Sequence, residues 1–153
     1  MKSIFVISLF FLLSAGSLNS QIPDSLKYRS LEPYDFHLQY LRIDSSLLID
    51  VREFFEFKRL RIRDAINISS SGNIEYAADT LDKNYALFLY CSTGYRSRRA
   101  AILLYEKGFK SLYNLEGGIV AWKKDGMPVE KGRPAKVRKH RSPVSRDLPR
   151  MGE

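Results

Sequence analysis

The sequence predicts an α/β domain built on a parallel β-sheet. Four short apolar segments, residues 47–51, 65–68, 85–90 and 112–115, have the length and composition of buried strands. The stretches between them favour helices and are joined by short loops. Strands that alternate with helices in this way are typical of a parallel sheet, and ligands bind such sheets at the carboxyl ends of the strands.

Helices are predicted in each interval, in order along the chain. Pro33 suits a first helical turn, and apolar residues follow it at helical spacing. Gly108 ends the fourth predicted helix, because glycine is common just after a helix. The predicted helical segments are residues 33–42, 53–59, 74–81, 98–107 and 119–124.

Composition divides the 153 residues into three regions, of which one is a folded domain. Residues 1–20 are predicted to be a signal peptide, residues 21–130 the domain, and residues 131–153 a flexible tail. The whole chain is 44% hydrophobic and 12% aromatic, which excludes global disorder.

Residues 1–20 have the layout of a secretory signal peptide. Lys2 precedes an apolar stretch over residues 4–13, and small residues follow at 14–17. The apolar stretch is too short for a spanning helix, which needs about 20 residues. We therefore expect an exported protein, periplasmic or secreted, with no stable membrane anchor after processing.

The formal net charge of +8 is carried mostly by the tail. Residues 131–153 contain eight Lys or Arg and two acidic residues, whereas residues 21–130 contain 16 basic and 15 acidic residues. The domain is therefore nearly neutral, and no nucleic-acid partner is expected. A basic arm that binds anionic surfaces is the alternative reading of the tail, although such tails usually serve solubility alone.

The chain has one cysteine and two histidines. A single cysteine excludes an intramolecular disulfide and a multi-cysteine zinc site, and two histidines leave little material for a histidine-rich metal site. We expect no metal and no organic cofactor, and nothing in the sequence requires more than a monomer.

Cys91 directly follows the best predicted strand, at the edge where ligands bind. A short segment separates it from the next predicted helix, and its residues are Ser92, Thr93, Gly94, Tyr95, Arg96 and Ser97. A loop that leads into a helix directs backbone N–H groups toward its centre, where they stabilise an anion or a thiolate. Buried cysteines often only fill space, so position alone leaves a reactive and a packing role open.

Six segments in order resemble the motifs of single-domain rhodaneses. They are residues 48–53 (LIDVRE), 65–68 (AINI), 90–97 (YCSTGYRS), 108–109 (GF), 113–122 (YNLEGGIVAW) and 126–129 (GMPV). The resemblance implies a rhodanese-like fold, a five-stranded parallel sheet flanked by helices on both faces. It also implies sulfur transfer through a cysteine persulfide.

The resemblance implies a role for each matching residue. Cys91 would attack the sulfane sulfur of thiosulfate or a small persulfide, and an external thiol or cyanide would remove that sulfur. The N–H groups of residues 92–97 would cradle the persulfide and the incoming anion, and Arg96 would orient the substrate or hold the loop. Asp50 and Arg52 would form a supporting ion pair. A non-catalytic binding or redox-sensing module is the alternative function.

The sequence departs from the family at residues 60–65. Many members have Gly-His-Ile-Pro-Gly-Ala there, whereas this chain has Leu-Arg-Ile-Arg-Asp-Ala. One hypothesis is that Arg61 or Arg63 raises the positive potential near the site. The alternative is that both are solvated loop charges.

Some phosphatases share the rhodanese fold, but the spacing of the loop argues against that activity here. Those phosphatases need Cys-x5-Arg, a loop wide enough for a phosphoryl group. Here Arg96 follows Cys91 with four residues between them, and Ser97 occupies the fifth. The shorter loop favours sulfur transfer over phosphate chemistry.

Overall fold

The fold was analysed in a computed structural model, which describes residues 22–132. The predicted signal peptide, and the predicted tail from residue 133 onward, lie outside the described residues. The elements in chain order are α1 (Asp24–Lys27), β1 (Arg29–Leu31), α2 (Pro33–Arg42), β2 (Ser46–Asp50), α3 (Phe54–Arg59), β3 (Arg61–Ile62), β4 (Ile66–Asn67), α4 (Ile74–Thr80), β5 (Ala86–Tyr90), α5 (Tyr95–Glu106), β6 (Leu112–Leu115), α6 (Gly118–Lys124) and β7 (Val129–Glu130).

The predicted five-stranded parallel sheet is confirmed. Its strand order is β1-β6-β5-β2-β4, and every pairing in it is parallel. β5 lies at the centre and aligns with β2 so that Tyr90 is opposite Asp50. The side chains that follow these two strands therefore meet at one edge of the sheet.

The sequence did not predict α1, β1, β3 or β7, and each has at most four residues. β1 is an edge strand of three residues with two of them exposed, so it has no apolar run. β3 and β7 form a separate antiparallel pair of two residues each, in which Ile62 is opposite Val129. Segments this short have no detectable period.

Helices cover both faces of the sheet, as the prediction required. Alternate residues of β5 point to opposite sides. Leu87 and Leu89 join the core formed with α4 and α5, and Phe88 and Tyr90 join the core formed with α2 and α6. Trp122 is buried in the second core, where its indole N–H donates to the carbonyl of Pro128 at 2.9 Å.

The predicted start of the helix after the cysteine, at residue 98, was wrong. α5 begins at Tyr95, because Gly94 adopts a left-handed conformation (φ +88°) that turns the chain into the helix at once. Tyr95, Arg96 and Ser97 are therefore the first helical turn rather than loop residues. The N–H groups of a first turn have no partner within their helix, so they are free to face the cysteine.

Within residues 22–132, no helix has the length and hydrophobicity needed to cross a membrane.

Candidate active site

Cys91 lies immediately after β5, at the carboxyl edge of the sheet. Its Sγ accepts a hydrogen bond from the Gly94 N–H at 3.2 Å, and the Ser97 hydroxyl lies 3.5 Å away. Only 1% of the residue is exposed. The thiol is thus enclosed by its own loop.

The surroundings of Cys91 favour the thiolate. Burial opposes ionisation, since it penalises the charged form. The Ser97 hydroxyl, when it donates to Cys91, and the N–H groups of Ser97, Thr93 and Gly94 together outweigh that effect, and the net result is a lowered thiol pKa. A cysteine buried in apolar surroundings has a raised pKa, so the hydrogen bonds of the loop distinguish the environment of Cys91 from that of a cysteine in apolar packing.

Arg96 is held against Glu56 of α3. Its guanidinium donates to both carboxylate oxygens of Glu56, at 2.8 and 2.9 Å, and also to Ser92 Oγ at 3.0 Å. The Ser92 hydroxyl donates in turn to Glu56 at 3.1 Å. Of the two roles that the resemblance offered for Arg96, this geometry provides for holding the loop.

Sequence reasoning missed Glu56. Its carboxylate also accepts from the Glu53 N–H at 3.1 Å, which completes a capping box at the start of α3. The hydrogen bond from Arg96, with those from Glu53 and Ser92, holds the pKa of Glu56 at about 2 against the opposing effect of burial. An acidic residue in the first turn of a predicted helix was the available signal, but nothing local linked it to the cysteine loop.

Asp50 and Arg52 form the buried ion pair that the sequence predicted. The Arg52 guanidinium donates to Asp50 through Nε and through Nη2, the latter at 2.6 Å. Arg52 Nη2 also donates to the Leu60 carbonyl at 2.5 Å. The pair therefore ties the end of β2 to the segment after α3.

The start of α6 is packed directly against the cysteine loop. The N–H groups of Ile119 and Val120 donate to the carbonyls of Cys91 and Ser92, at 2.9 and 3.2 Å. A Cβ added to Gly118 would lie 2.5 Å from the Cys91 carbonyl oxygen and 2.6 Å from Ser92 backbone atoms. The absence of a side chain at Gly118 thus allows α6 to approach the cysteine loop closely.

A buried chain of polar side chains, which the sequence did not predict, leads from the cysteine loop to the surface. Ser97 Oγ donates to Asn114 Oδ1 at 2.7 Å, and Asn114 Nδ2 donates to Ser30 Oγ at 2.8 Å. Ser30 Oγ donates to Glu116 at 2.6 Å. The signal in the sequence was Asn114 itself, an amide in the middle of the apolar strand β6.

Arg61 and Arg63 both pair with Glu130 of β7. Arg61 is buried, lies 3.2 Å from Glu130, and donates to the Gly132 carbonyl at 2.7 Å. Arg63 is exposed and lies 3.0 Å from the same carboxylate. Because Glu130 offsets their charge, this pairing weakens the hypothesis that either residue raises the potential at the cysteine. For Arg61 the alternative, a solvated loop charge, is wrong, because the side chain is buried.

The remaining residues of the predicted site lie at its rim. Thr93 and Tyr95 are exposed, and Tyr95 is 60% accessible at the start of α5.

Among the described residues, no group of three or more His, Cys, Asp or Glu side chains is arranged to hold a metal ion.

The central parallel strand β5 is followed by an enclosed cysteine and then by the helix α5. This arrangement defines an α/β protein with a hydrogen-bonded thiol at the carboxyl edge of its sheet. The chain belongs to the rhodanese-like domain family, whose model matches residues 37–125. The predicted family is confirmed.

The chain is similar to proteins named as sulfurtransferases. It is 29% identical over 90 residues to thiosulfate sulfurtransferase GlpE of Actinobacillus succinogenes, covering 59% of this chain and 80% of that protein. It is 32% identical over 83 residues to a sulfurtransferase of Allochromatium vinosum, covering 54% of this chain and 77% of the relative. A crystal structure of a rhodanese-related protein from Thermoplasma volcanium matches with a TM-score of 0.57 and 28% identity, covering 67% of this chain and 98% of that one.

Other relatives are longer than the region they share with this chain. The chain spans 59% of YrkF of Bacillus subtilis, at 32% identity, and 34% of tRNA uridine(34) hydroxylase of Chlamydia muridarum, at 29% identity. These relatives are named as a putative sulfur carrier protein and a tRNA uridine(34) hydroxylase, and this chain matches only part of each.

Proposed function

We propose that this protein is a sulfurtransferase that moves a sulfane sulfur from thiosulfate or a small persulfide to a thiol or cyanide acceptor. The observation that carries the proposal is the enclosed Cys91 thiol, which accepts the Gly94 N–H at 3.2 Å within a loop that lowers its pKa. The named sulfurtransferases among its relatives support the same reaction class.

The first step forms a persulfide on Cys91. The thiolate attacks the sulfane sulfur of the donor, a bond forms between the two sulfur atoms, and the donor's sulfur–sulfur bond breaks. With thiosulfate the bonding pair leaves on sulfite. The N–H groups of Thr93, Gly94 and Ser97 stabilise the negative charge, and the Glu56–Arg96 pair keeps the loop in place.

The second step returns the thiolate. An acceptor thiolate or cyanide attacks the outer sulfur of the Cys91 persulfide, and Cys91 leaves with the bonding pair. Because the chain has one cysteine, no thiol of its own is present to receive the sulfur, and the acceptor is external. No oxidant or reductant is consumed.

Mass measurement of the intact protein tests the proposal. Incubation with thiosulfate or a small persulfide should add one sulfur atom, and subsequent addition of cyanide should remove it. The Cys91→Ser variant is the matched control and should gain nothing. An unchanged mass with every donor would refute a sulfurtransferase.

One observation favours a second function, a non-catalytic binding or redox-sensing module. Cys91 is only 1% exposed, which is ordinary for a cysteine that packs. This alternative predicts no sulfur adduct with any donor. A redox-sensing thiol would still be modified by an oxidant. The same mass measurement separates the two functions.

We also propose that residues 1–20 direct export and that the protein acts in the periplasm or after secretion. The support is the charge and hydropathy pattern of this segment. Sequencing the amino terminus of protein recovered outside the cytoplasm should show cleavage near residue 20, and retention of Met1 in that fraction would refute the proposal.

A further inference from the structure

The Ser97 hydroxyl has one proton and three acceptors within reach. Asn114 Oδ1 is nearest at 2.7 Å, the Gly94 carbonyl lies at 3.1 Å, and Cys91 Sγ lies at 3.5 Å. A hydroxyl donates to one acceptor at a time. While the Ser97 hydroxyl donates to Asn114, the thiolate of Cys91 lacks that hydrogen bond. The orientation of the Asn114 amide therefore determines whether Ser97 can donate to Cys91.

Asn114 is completely buried, and its amide makes one contact at each end. A half-turn of the amide exchanges its oxygen and nitrogen while keeping its shape. In the orientation described above, the amide accepts from Ser97 and donates to Ser30. In the reversed orientation the amide donates to Ser97 and accepts from Ser30, so both contacts are kept.

The two orientations differ at the ends of the chain. In the first, Ser30 donates to Glu116, and the Ser97 proton is engaged by Asn114. In the second, the Ser97 oxygen accepts a hydrogen bond from the Asn114 amide N–H, and the Ser97 hydroxyl is free to donate to Cys91. Ser30 then donates to Asn114, so Glu116 loses a hydrogen bond, which water replaces because its side chain is 39% exposed.

We propose that Asn114 is a positioning residue for Cys91. The Asn114 amide reverses when the thiol ionises, and the Ser97 hydroxyl then donates its hydrogen bond to the thiolate. Glu116 opposes the reversal by attracting the Ser30 proton. This inference rests on the proposed role of Cys91 as the reactive thiol.

The ion pairs on the elements around Cys91 are Asp50 with Arg52, Glu56 with Arg96, and Glu116 with Arg98. Only the last lies at the outer end of the polar chain. Changes at Ser30 or Glu116 therefore leave the first two pairs intact.

Titration of the thiol tests the proposal in the full chain. The ultraviolet absorbance of the thiolate is followed against pH, with Cys91→Ser as the blank, which is possible because the chain has one cysteine. Ser30→Ala and Glu116→Ala each remove the hydrogen bond from Ser30 to Glu116, which favours the first orientation of the Asn114 amide. Each should lower the Cys91 pKa by about one unit, the scale of one hydrogen bond to a charged group.

The double variant Ser30→Ala/Glu116→Ala should shift the pKa no further than either single variant, because both act through one chain. In a Ser97→Ala background, which interrupts the hydrogen-bond network next to the thiol, neither change should move the Cys91 pKa. Ser30 is exposed and Glu116 is partly exposed, so the changes at these two residues should leave the fold intact.

Three results would overturn the proposal. They are a pKa unmoved by Ser30→Ala, a shift that persists in the Ser97→Ala background, and a Glu116→Ala shift that high salt abolishes, which would indicate charge alone. Because titration does not require a sulfur donor, failure here is distinguishable from failure of the persulfide assay.

Discussion

Replacement of Glu56 by Gln tests whether the ion pair with Arg96 holds the cysteine loop. The Glu56 carboxylate binds both terminal nitrogens of Arg96 and accepts from Ser92, and its pKa falls from an ordinary 4.5 to about 2. That change corresponds to about 3 kcal/mol at 1.36 kcal/mol per unit. Because the two side chains are 21% and 34% exposed, solvent screening reduces the expected contribution to about 1–2 kcal/mol.

The pH dependence has a definite sign. A carboxylate whose pKa is lower in the folded state contributes stability above its unfolded pKa, and the contribution is lost as pH falls through the folded pKa. The variant should therefore be less stable than the natural protein by about 1–2 kcal/mol at pH 7. The difference should shrink as the pH falls from about 4.5 toward 2.

Urea unfolding of the full chain at a series of pH values measures this difference. Glu75→Gln is a matched control, since Glu75 also lies in a first helical turn and makes no salt bridge among residues 22–132. The control should show little change at any pH. A Glu56→Gln deficit equal at pH 7 and at pH 2.5, or absent at pH 7, would refute the reasoning.

Two further changes follow from the packing around the site. Gly118→Ala places a Cβ 2.5 Å from the Cys91 carbonyl oxygen, so it should lower the free energy of unfolding by about 3 kcal/mol or more and slow persulfide formation. Gly126→Ala, at a similar positive φ with nothing within 4 Å, should cost only about 1 kcal/mol; equal costs in thermal unfolding would contradict the close contact. Asp50→Asn leaves the Arg52 guanidinium buried without its counter-charge and should cost about 3–5 kcal/mol in urea unfolding, and a loss below about 1 kcal/mol would show that the pair is not structurally required.

The strands and helices that sequence predicted well are those with a clear physical period. β6 was predicted with its exact limits, and β5 to within one residue, because their apolar runs are uninterrupted by charge. β1 could not be predicted, because its three residues alternate too briefly and only β6 beside it makes it a strand. The start of α5 was misplaced because its first turn is polar, which is also typical of a loop.

The residues of the candidate site also fall into two groups, those that the sequence could place together and those that it could not. Cys91 and its loop lie in one continuous segment, so the sequence could place them together. Glu56 and Asn114 reach the loop from other elements, 40 residues before Arg96 and 17 after Ser97. Their partners depend on tertiary contacts, and a single sequence contains no direct signal for those.

The two hydrogen bonds from α6 to the cysteine loop have a consequence for dynamics. The N–H groups of Ile119 and Val120 are bonded to the carbonyls of Cys91 and Ser92, so the loop cannot separate from α6 while these amides stay protected. Cys91 is almost wholly enclosed, so in the proposed sulfur transfer a bulky acceptor should need a wider loop to reach it. Hydrogen exchange at these two amides measures how often the loop opens, and under the proposed function turnover with bulky acceptors should not exceed that opening frequency.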